Sequence, residues 1–494
     1  MKPIALAHLS AMYFARSSIQ LSIAVVFAVL ALAPSASAQE VSNTNGVALA
    51  RGDAAAWTRA IDDPRAAGLA RPTAVQYAWQ EQELAMFLQL DPATIQGGEY
   101  DNGSTPLSEI KFSKLDVNEW CRAAKAFGAK EIVFMLAHSG GFCMWPSKST
   151  DYHIGNTPYQ GGHADVVREF AAACRANGLH AGFYFWMPRP VTEGKPKGTV
   201  DYNFAKDRVA TWDKARQVSQ TRFHEIMDRL GSDLVTEIWI DQPLKASLGK
   251  NIAQRATNAV VQAVGCQDPY PTIRWPGTES GTVNYPCWST IKRQRLATTS
   301  PTQLAADDNQ KQDKDDPDGD YWAAHEADTP LHDHYWHMRT GALENRKSLN
   351  ALVNCYEKSV GRNSFLILNC APQSDGSIHP DDMKRYEEFG AEIKRRFGHP
   401  VAAIEQVAAS ECVLDLGGAK NIRYVDLWED YRHGQRIREF SIEGFVGNEW
   451  IKLASGSAVG RRFLWRTPDV AASQVRVRVT KSVGTPLIRK FQVH

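Results

Sequence analysis

Little in this chain favours a partner recognised by bulk charge. No block of lysine and arginine stands out, and the formal net charge over 494 residues is +1, so neither nucleic acid nor an anionic surface is an expected partner. Cysteine is sparse as well. Eight residues are too few to build a disulfide scaffold, and the fold must rest on its core. Beyond the first 32 residues no apolar run is long enough to span a bilayer. No glycine-rich phosphate fingerprint follows the first predicted strand, which sets a dinucleotide-binding doubly wound sheet aside.

Aromatic surface is what the chain has in quantity. Its 14 Trp and 15 Tyr supply flat rings that fill cores and also stack on the apolar C–H faces of sugars. The length exceeds what one core usually supports, so one large domain and a smaller one are expected.

The first residues read as a targeting segment. Lys2 and Arg16 supply positive charge, residues 21–32 are mostly apolar, and Ala36-Ser37-Ala38 has the small-x-small form cut before Gln39. Residues 1–38 are therefore expected to be a signal peptide, with Met12 as an alternative start, and the mature protein to be exported to the periplasm or secreted. No membrane attachment is expected after cleavage. All eight cysteines lie after this leader. Cys266 and Cys287 bracket a loop discussed below, and either a bridge or two buried thiols fits their spacing.

From about residue 75 to 395, short β-type runs alternate with amphipathic helices. Residues 117–128 and 163–178 read as helices stopped by glycine, 131–138 and 179–186 as strands, 204–230 and 246–264 as helices, 365–369 as a late strand and 379–398 as a closing helix. The expected fold class is α/β, a (β/α)₈ TIM-like barrel with insertions over residues 39–398. Residues 307–320, DDNQKQDKDDPDGD, read as a solvated insertion. After Pro400 only strand-like runs remain, which predicts an antiparallel β-sandwich of galactose-binding or discoidin-like type over 399–494.

Two carboxylates sit where a barrel enzyme keeps its chemistry. LVTEIWID (234–241) is an apolar strand ending at Asp241, and TIRWPGTESG (272–281) places Glu279 on a loop after a second short strand. Carboxylates on strand ends suit glycoside hydrolysis, in which one attacks the anomeric carbon and the other protonates the leaving oxygen.

The surrounding motifs resemble glycoside hydrolase family 29, the α-L-fucosidases. In that family a strand ends in KHHDGFCLW, where this chain has AHSGGFCMW (137–145); GGHADVVREF (161–170) and GFYFW (182–186) follow in the family order. W-I-D-Q (239–242) stands where the family has W-F-D-G. RWPGTESG (274–281), HEADTPL (325–331) and SVGRNSFLILNCAP (359–372) resemble the subgroup that cuts α-1,3/4-linked fucose. The resemblance implies a retaining exo-glycosidase with Asp241 as nucleophile and Glu279 as acid/base. It implies a sugar site lined by His138, Tyr184, Trp239, Arg274, Trp275, Gln89, Glu99 and Trp145, with no cofactor and no metal. The substrate implied is an oligosaccharide or glycan; oligomeric state is not legible.

Several positions depart from the family pattern. Ser139 replaces the second of two histidines, Gly140 an aspartate, Gln89 a histidine and Gln242 a small residue, while Glu99-Tyr100 stands for Glu-Trp. A same-mechanism glycosidase for another monosaccharide and a non-catalytic carbohydrate-binding protein are the alternative expectations. His163, His332, His334 and His337 read as satisfied surface or supporting histidines and not as metal ligands.

Overall fold

The computed structural model describes residues 49–186, 188–190, 208–240, 248–263, 271–293 and 315–494. The expected leader lies outside them, as do Asp241, Gln242, Cys266 and most of the 307–320 stretch.

Eight parallel strands form one sheet: β1 (Leu84–Leu88), β2 (Glu131–Ala137), β3 (His180–Phe185), β4 (Val235–Ile240), β5 (Val260–Ala263), β6 (Thr272–Ile273), β7 (Glu326–Thr329) and β8 (Phe365–Cys370). Their hydrogen-bonded order is β7-β8-β1-β2-β3-β4-β5-β6. The two ends meet at Arg274, whose N–H donates to Ala324 O at 2.9 Å and whose carbonyl accepts from Glu326 N–H at 2.8 Å. The sheet is thereby a near-closed barrel. Among the described residues, helices α1 (Val117–Ala126), α2 (Val166–Asn177), α3 (Trp212–Leu230), α4 (Gly249–Arg255), α5 (Leu349–Lys358) and α6 (Pro380–Phe397) pack or connect around it.

Strand residues alternate between two cores, because successive side chains leave a strand on opposite faces. Met86, Ile132, Phe134, Phe183, Ile238 and Leu366 face outward into the layer shared with the helices. Phe87, Val133, Met135, Tyr184, Trp239, Ile273 and Ile367 fill the barrel interior, joined by Trp79 from the short helix Ala74–Gln80. Gly182 belongs to this inner face for a steric reason: a Cβ there would lie 2.7 Å from Val133 Cγ2 and 2.9 Å from Glu131 Oε1.

Three differences from the sequence reading have local causes. Residues 246–264 are not one helix; α4 ends at Arg255, and Val260–Ala263 is the fifth barrel strand. Strand β7 was not legible as a strand, since two of its four residues, Glu326 and Asp328, are acids, yet both are buried inside the barrel. Asp315, expected to be solvated, is half-buried with its side chain only 6% exposed, held by Arg274 Nη1 and His325 Nε2, each at 2.8 Å.

After α6 the chain forms an antiparallel sheet from β9 (Ala402–Val407), β10 (Glu411–Glu429), β11 (Ile437–Val446), β12 (Glu449–Gly456), β13 (Phe463–Ser482) and β14 (Ile488–Val493). The long strands β10 and β13 pair with register shifts between Asp415 and Lys420 and between Ile422 and Tyr424. This sheet encloses a core of its own around Ile422, Leu427, Phe440, Val475 and Phe491. Residues 49–51 join it as a parallel edge strand on β9, and Trp57 and Ala60 pack against Leu487. The start of the described chain thus packs on the C-terminal sheet, although it precedes the barrel in sequence.

Barrel and sheet are tied by buried charge. Arg462 on the turn before β13 makes a two-pronged contact with Asp426, at 3.0 and 2.7 Å, and donates to Tyr356 OH of α5 at 2.6 Å. Arg461 reaches Glu83, just before β1, at 2.6 Å. Such paired geometry offsets the cost of burying the ions, whereas removing one partner leaves an uncompensated charge.

Helices α6 and α1 approach so closely that a Cβ at Gly390 would lie 2.0 Å from Ala126 O. Alanine is the better helix former by about 1 kcal/mol, but overpacking of this kind costs about 1–3 kcal/mol. Gly390→Ala is expected to lower the thermal midpoint, and an unchanged or raised midpoint in a melting curve would contradict this packing.

Candidate active site

Aromatic side chains line the barrel towards the carboxyl ends of its strands. Tyr184 of β3 stacks on Trp239 of β4 with ring centres 5.9 Å apart, and Trp239 meets Trp275 edge to face at 6.2 Å. Phe87 of β1 touches Tyr184, Trp239 and Trp336 at 5.8, 5.6 and 5.8 Å. His138, at the end of β2, lies 5.8 Å from Tyr184, 5.3 Å from Trp186 and 5.5 Å from the partly exposed ring of Tyr100. Such a set presents ring faces and edges to a small polar ligand with an apolar side.

Two of the indoles are held from below by acids on one strand. Trp239 Nε1 donates to Glu326 Oε2 at 2.7 Å, and Trp275 Nε1 donates to Asp328 Oδ1 at 2.6 Å. Glu326 hydrogen-bonds Glu237, which accepts from Trp79 Nε1 at 2.7 Å, and Glu131 accepts from Thr236 at 2.7 Å. Burial pushes Glu326 up to about 8 and lifts Glu237 and Glu131 well above the usual carboxylate range, the charge of Glu326 adding to the effect on Glu237. A neutral stack of carboxyls therefore fills the barrel centre at pH 7, which avoids burying several negative charges together.

A charged cluster closes the opposite wall. His337 is fully buried between Asp91, 3.3 Å from its Nε2, and Glu99, 3.5 Å from its Nδ1. Burial alone would lower its pKa, but the charge and hydrogen bond of Asp91, with Glu99, outweigh this and lift it to about 9. His138, 5.8 Å away, is driven the other way by burial, down to about 4, and is neutral at pH 7. His138 Nδ1 and Ser139 Oγ are buried with no hydrogen-bond partner among the described residues. Orphaned polar atoms of this kind await a ligand or water.

Glu279 stands at the rim, on a loop between two glycines of positive φ, Gly277 and Gly281. Its Oε2 accepts from Trp336 Nε1 at 3.0 Å. The same Trp336 donates its backbone N–H to Glu99, at 3.2 and 3.1 Å from the two oxygens.

The sequence-derived residues divide accordingly. His138, Tyr184, Trp239 and Trp275 belong to the linked aromatic set and Glu99 to the charged cluster beside it, and Gln89 is buried just beyond β1, two residues after the inward-facing Phe87. Asp241 lies outside the described residues. Arg274 is a correction. It points out of the barrel, between the inward Ile273 and Trp275, and its guanidinium is taken by Ala323 O, Asp315 and Trp288 O at 2.7, 2.8 and 2.8 Å. Trp145 is a second correction, because it sits in the helix-facing core and donates to Glu225 of α3 at 2.9 Å. Of the four histidines, His332 pairs with Asp382 at 3.0 Å and His337 belongs to the site. Cys287, Asp315 and His325 cluster with ligand atoms within 4.8 Å of one another, but Asp315 already accepts from Arg274, His325 and Trp288 N–H.

The sequence model of the alpha-L-fucosidase family matches residues 96–396, which spans β2 to β8 and includes Glu99, His138, Glu279, Trp336 and His337. The chain belongs to the α-L-fucosidase family. A rice (Oryza sativa subsp. japonica) relative is 28% identical over 488 residues, covering 91% of this chain and 89% of its own. Alpha-L-fucosidase 1 of Arabidopsis thaliana is 27% identical, over 84% of this chain and 86% of that one. Among solved structures, a glycoside hydrolase 29 family member from an unknown rumen bacterium superposes with TM-score 0.72 at 27% identity, covering 86% of this chain and 77% of that one. Membership makes the chain a glycoside hydrolase, and the aromatic and charged groups above lie at the carboxyl ends of the strands, the end of such barrels that carries active sites.

Residues 336 and 337, Asp91, Glu326 and Asp328 were not singled out from the sequence as parts of the site. For Glu326 and Asp328 a signal existed: in HEADT the acids alternate with Ala, as inward and outward positions of a strand do.

Because the folded pKa of Glu326 is raised, from an ordinary 4.5 to about 8, its contribution to stability is full below the lower value and is lost as pH rises to the upper one. Glu326→Gln keeps an acceptor for Trp239 and removes the ionisation. Its thermal midpoint is expected to fall less between pH 5 and pH 8 than that of the unsubstituted protein; parallel curves would show that Glu326 does not titrate in this way.

Proposed function

We propose that the chain is an exported, retaining exo-acting α-L-fucosidase that releases α-1,3/4-linked fucose from glycans. The observation that carries this reading is the convergence of Glu279 with the aromatic and histidine wall around Trp239 and His138 at the carboxyl ends of the strands. In this reading Asp241, two residues beyond Trp239 in W-I-D-Q, attacks the anomeric carbon. Glu279 gives its proton to the departing glycosidic oxygen, and a covalent glycosyl-Asp241 ester forms with inversion. Glu279, now ionised, takes a proton from water as the water attacks the same carbon from the other side, restoring the starting configuration and both carboxyl groups. The stacked Tyr184 and Trp239 would hold the apolar face of the sugar, and the unpartnered His138 Nδ1 and Ser139 Oγ would take its hydroxyls.

A same-mechanism enzyme for another monosaccharide is the second reading, and Gly140 motivates it. A Cβ at this position would lie 2.0 Å from Asp101 Oδ2, so the family's aspartate has no room here and Asp101, bonded to Tyr152 OH at 3.0 Å, occupies the space instead. Both readings take residues 399–494 as a discoidin-like sandwich and residues 1–38 as a cleaved leader.

Produced from its own gene, the enzyme is expected outside the cytoplasm with Gln39 at its amino terminus and to release 4-nitrophenol from the aryl α-L-fucoside faster than from other aryl glycosides. Asp241→Gly is expected to lose about three or more orders of magnitude in kcat, with partial rescue by azide. Brisk turnover of a different glycoside alone would select the second reading. Full activity of Asp241→Gly would refute the mechanism.

A further inference from the structure

Glu279 is poorly held by its own surroundings. It is solvent-exposed, its flanking glycines adopt positive φ, and its backbone carbonyl is reached only at 3.3 Å by Thr329 Oγ1. Among the described residues the carboxylate has one hydrogen-bond partner, the indole N–H of Trp336 at 3.0 Å. Trp336, by contrast, is fixed from several sides. Its N–H donates to Glu99, its carbonyl accepts from the buried Asn369 Nδ2 at 3.0 Å, and its ring packs edge-on to Phe87 at 5.8 Å. The loop that carries it, between β7 and α5, is pinned by Lys347 Nζ on Pro330 O at 2.8 Å and by the buried His332–Asp382 pair.

We infer that Trp336 is the positioning residue for Glu279: its indole N–H ties down Oε2 and so presents Oε1 to the glycosidic oxygen, while its backbone N–H fixes Glu99 on the sugar side. An exposed glutamate has three side-chain torsions, and an unrestrained carboxyl spends little time aligned for proton transfer, a step whose efficiency depends on geometry. One residue then sets the spacing between a sugar-side group and the proton donor. This deepens the fucosidase reading and rests on Glu279 as the acid.

Proton donation matters most when the leaving group is poor, and this separates positioning from a general loss of structure. Trp336→Phe keeps the ring against Phe87 and deletes the donor. Its kcat/KM for an α-fucosyl disaccharide is expected to fall by about ten-fold or more, with most of the loss in kcat, whereas that for 2-chloro-4-nitrophenyl α-L-fucoside, which leaves without a proton, falls less than about three-fold. Equal losses on both substrates, or none on either, overturn the proposal. Glu279→Ala provides the control. If it shows no leaving-group-dependent loss, the acid/base assignment has failed; if it does and Trp336→Phe does not, only the positioning role has failed. A second readout needs no change at Trp336: in protein labelled with ¹⁵N-tryptophan, one indole N–H resonance should shift on Glu279→Ala, and an unchanged set of indole resonances overturns the contact.

Discussion

The hydrogen bond from Trp239 to Glu326 is the contact on which the candidate site depends. It joins two strands that are not neighbours in the sheet, β4 and β7, across an interior where a polar group without a partner would be costly. Glu326 accepts from the indole, and burial, aided by the nearby Asp328 and Glu131, holds its carboxyl well above the usual range, while its hydrogen bonds to Glu237 and Trp239 pull the other way. The indoles of Trp239 and Trp275 are in this way anchored in the barrel's own packing. Gly182 completes the arrangement by leaving the volume that Glu131 requires.

The second constraint lies in the loops. Glu99, Glu279 and Trp336 come from three connections that are far apart in sequence, and each carries a group that another needs. Trp336 donates to both acids; Glu99 also accepts from His337 N–H and faces Arg339 at 3.4 Å. The wall is charge-balanced where it is buried and singly hydrogen-bonded where it is exposed. A rigid barrel supporting rim residues of graded mobility is the usual division of labour in this architecture.

Much of the scaffold was legible because it rests on periodicity. Helices α1, α2, α3 and α6 and strands β2, β3, β4 and β8 follow the apolar spacing and glycine stops of their sequences. The strand β7 was obscured because its inward residues are acids, and β5 because four residues after a short helix carry too little pattern. Arg274 was misplaced by resemblance, although the inward Ile273 and Trp275 on either side of it put it on the outer face of β6. Trp145 was misplaced because an aromatic after a glycine turn reads the same whether it meets a ligand or a helix. Trp336 and His337 were beyond local reading: their partners Glu279, Glu99 and Asp91 lie more than fifty residues away, and only the folded chain brings them together.

Six residues after Glu279, Tyr285 leaves the barrel and inserts its hydroxyl into the C-terminal sheet, where it accepts from Ser457 and Ala458 N–H at 3.0 and 3.2 Å and donates to Ala458 O at 2.9 Å. A Cβ at Gly456 would lie 2.0 Å from that hydroxyl, so the socket fits glycine only. The sheet is therefore a mooring for the segment that carries Glu279. Trimming the gene to its hydrolase portion would leave that segment untethered at one end, and swapping in a sheet from a relative would require a matching socket as well as a matching fold.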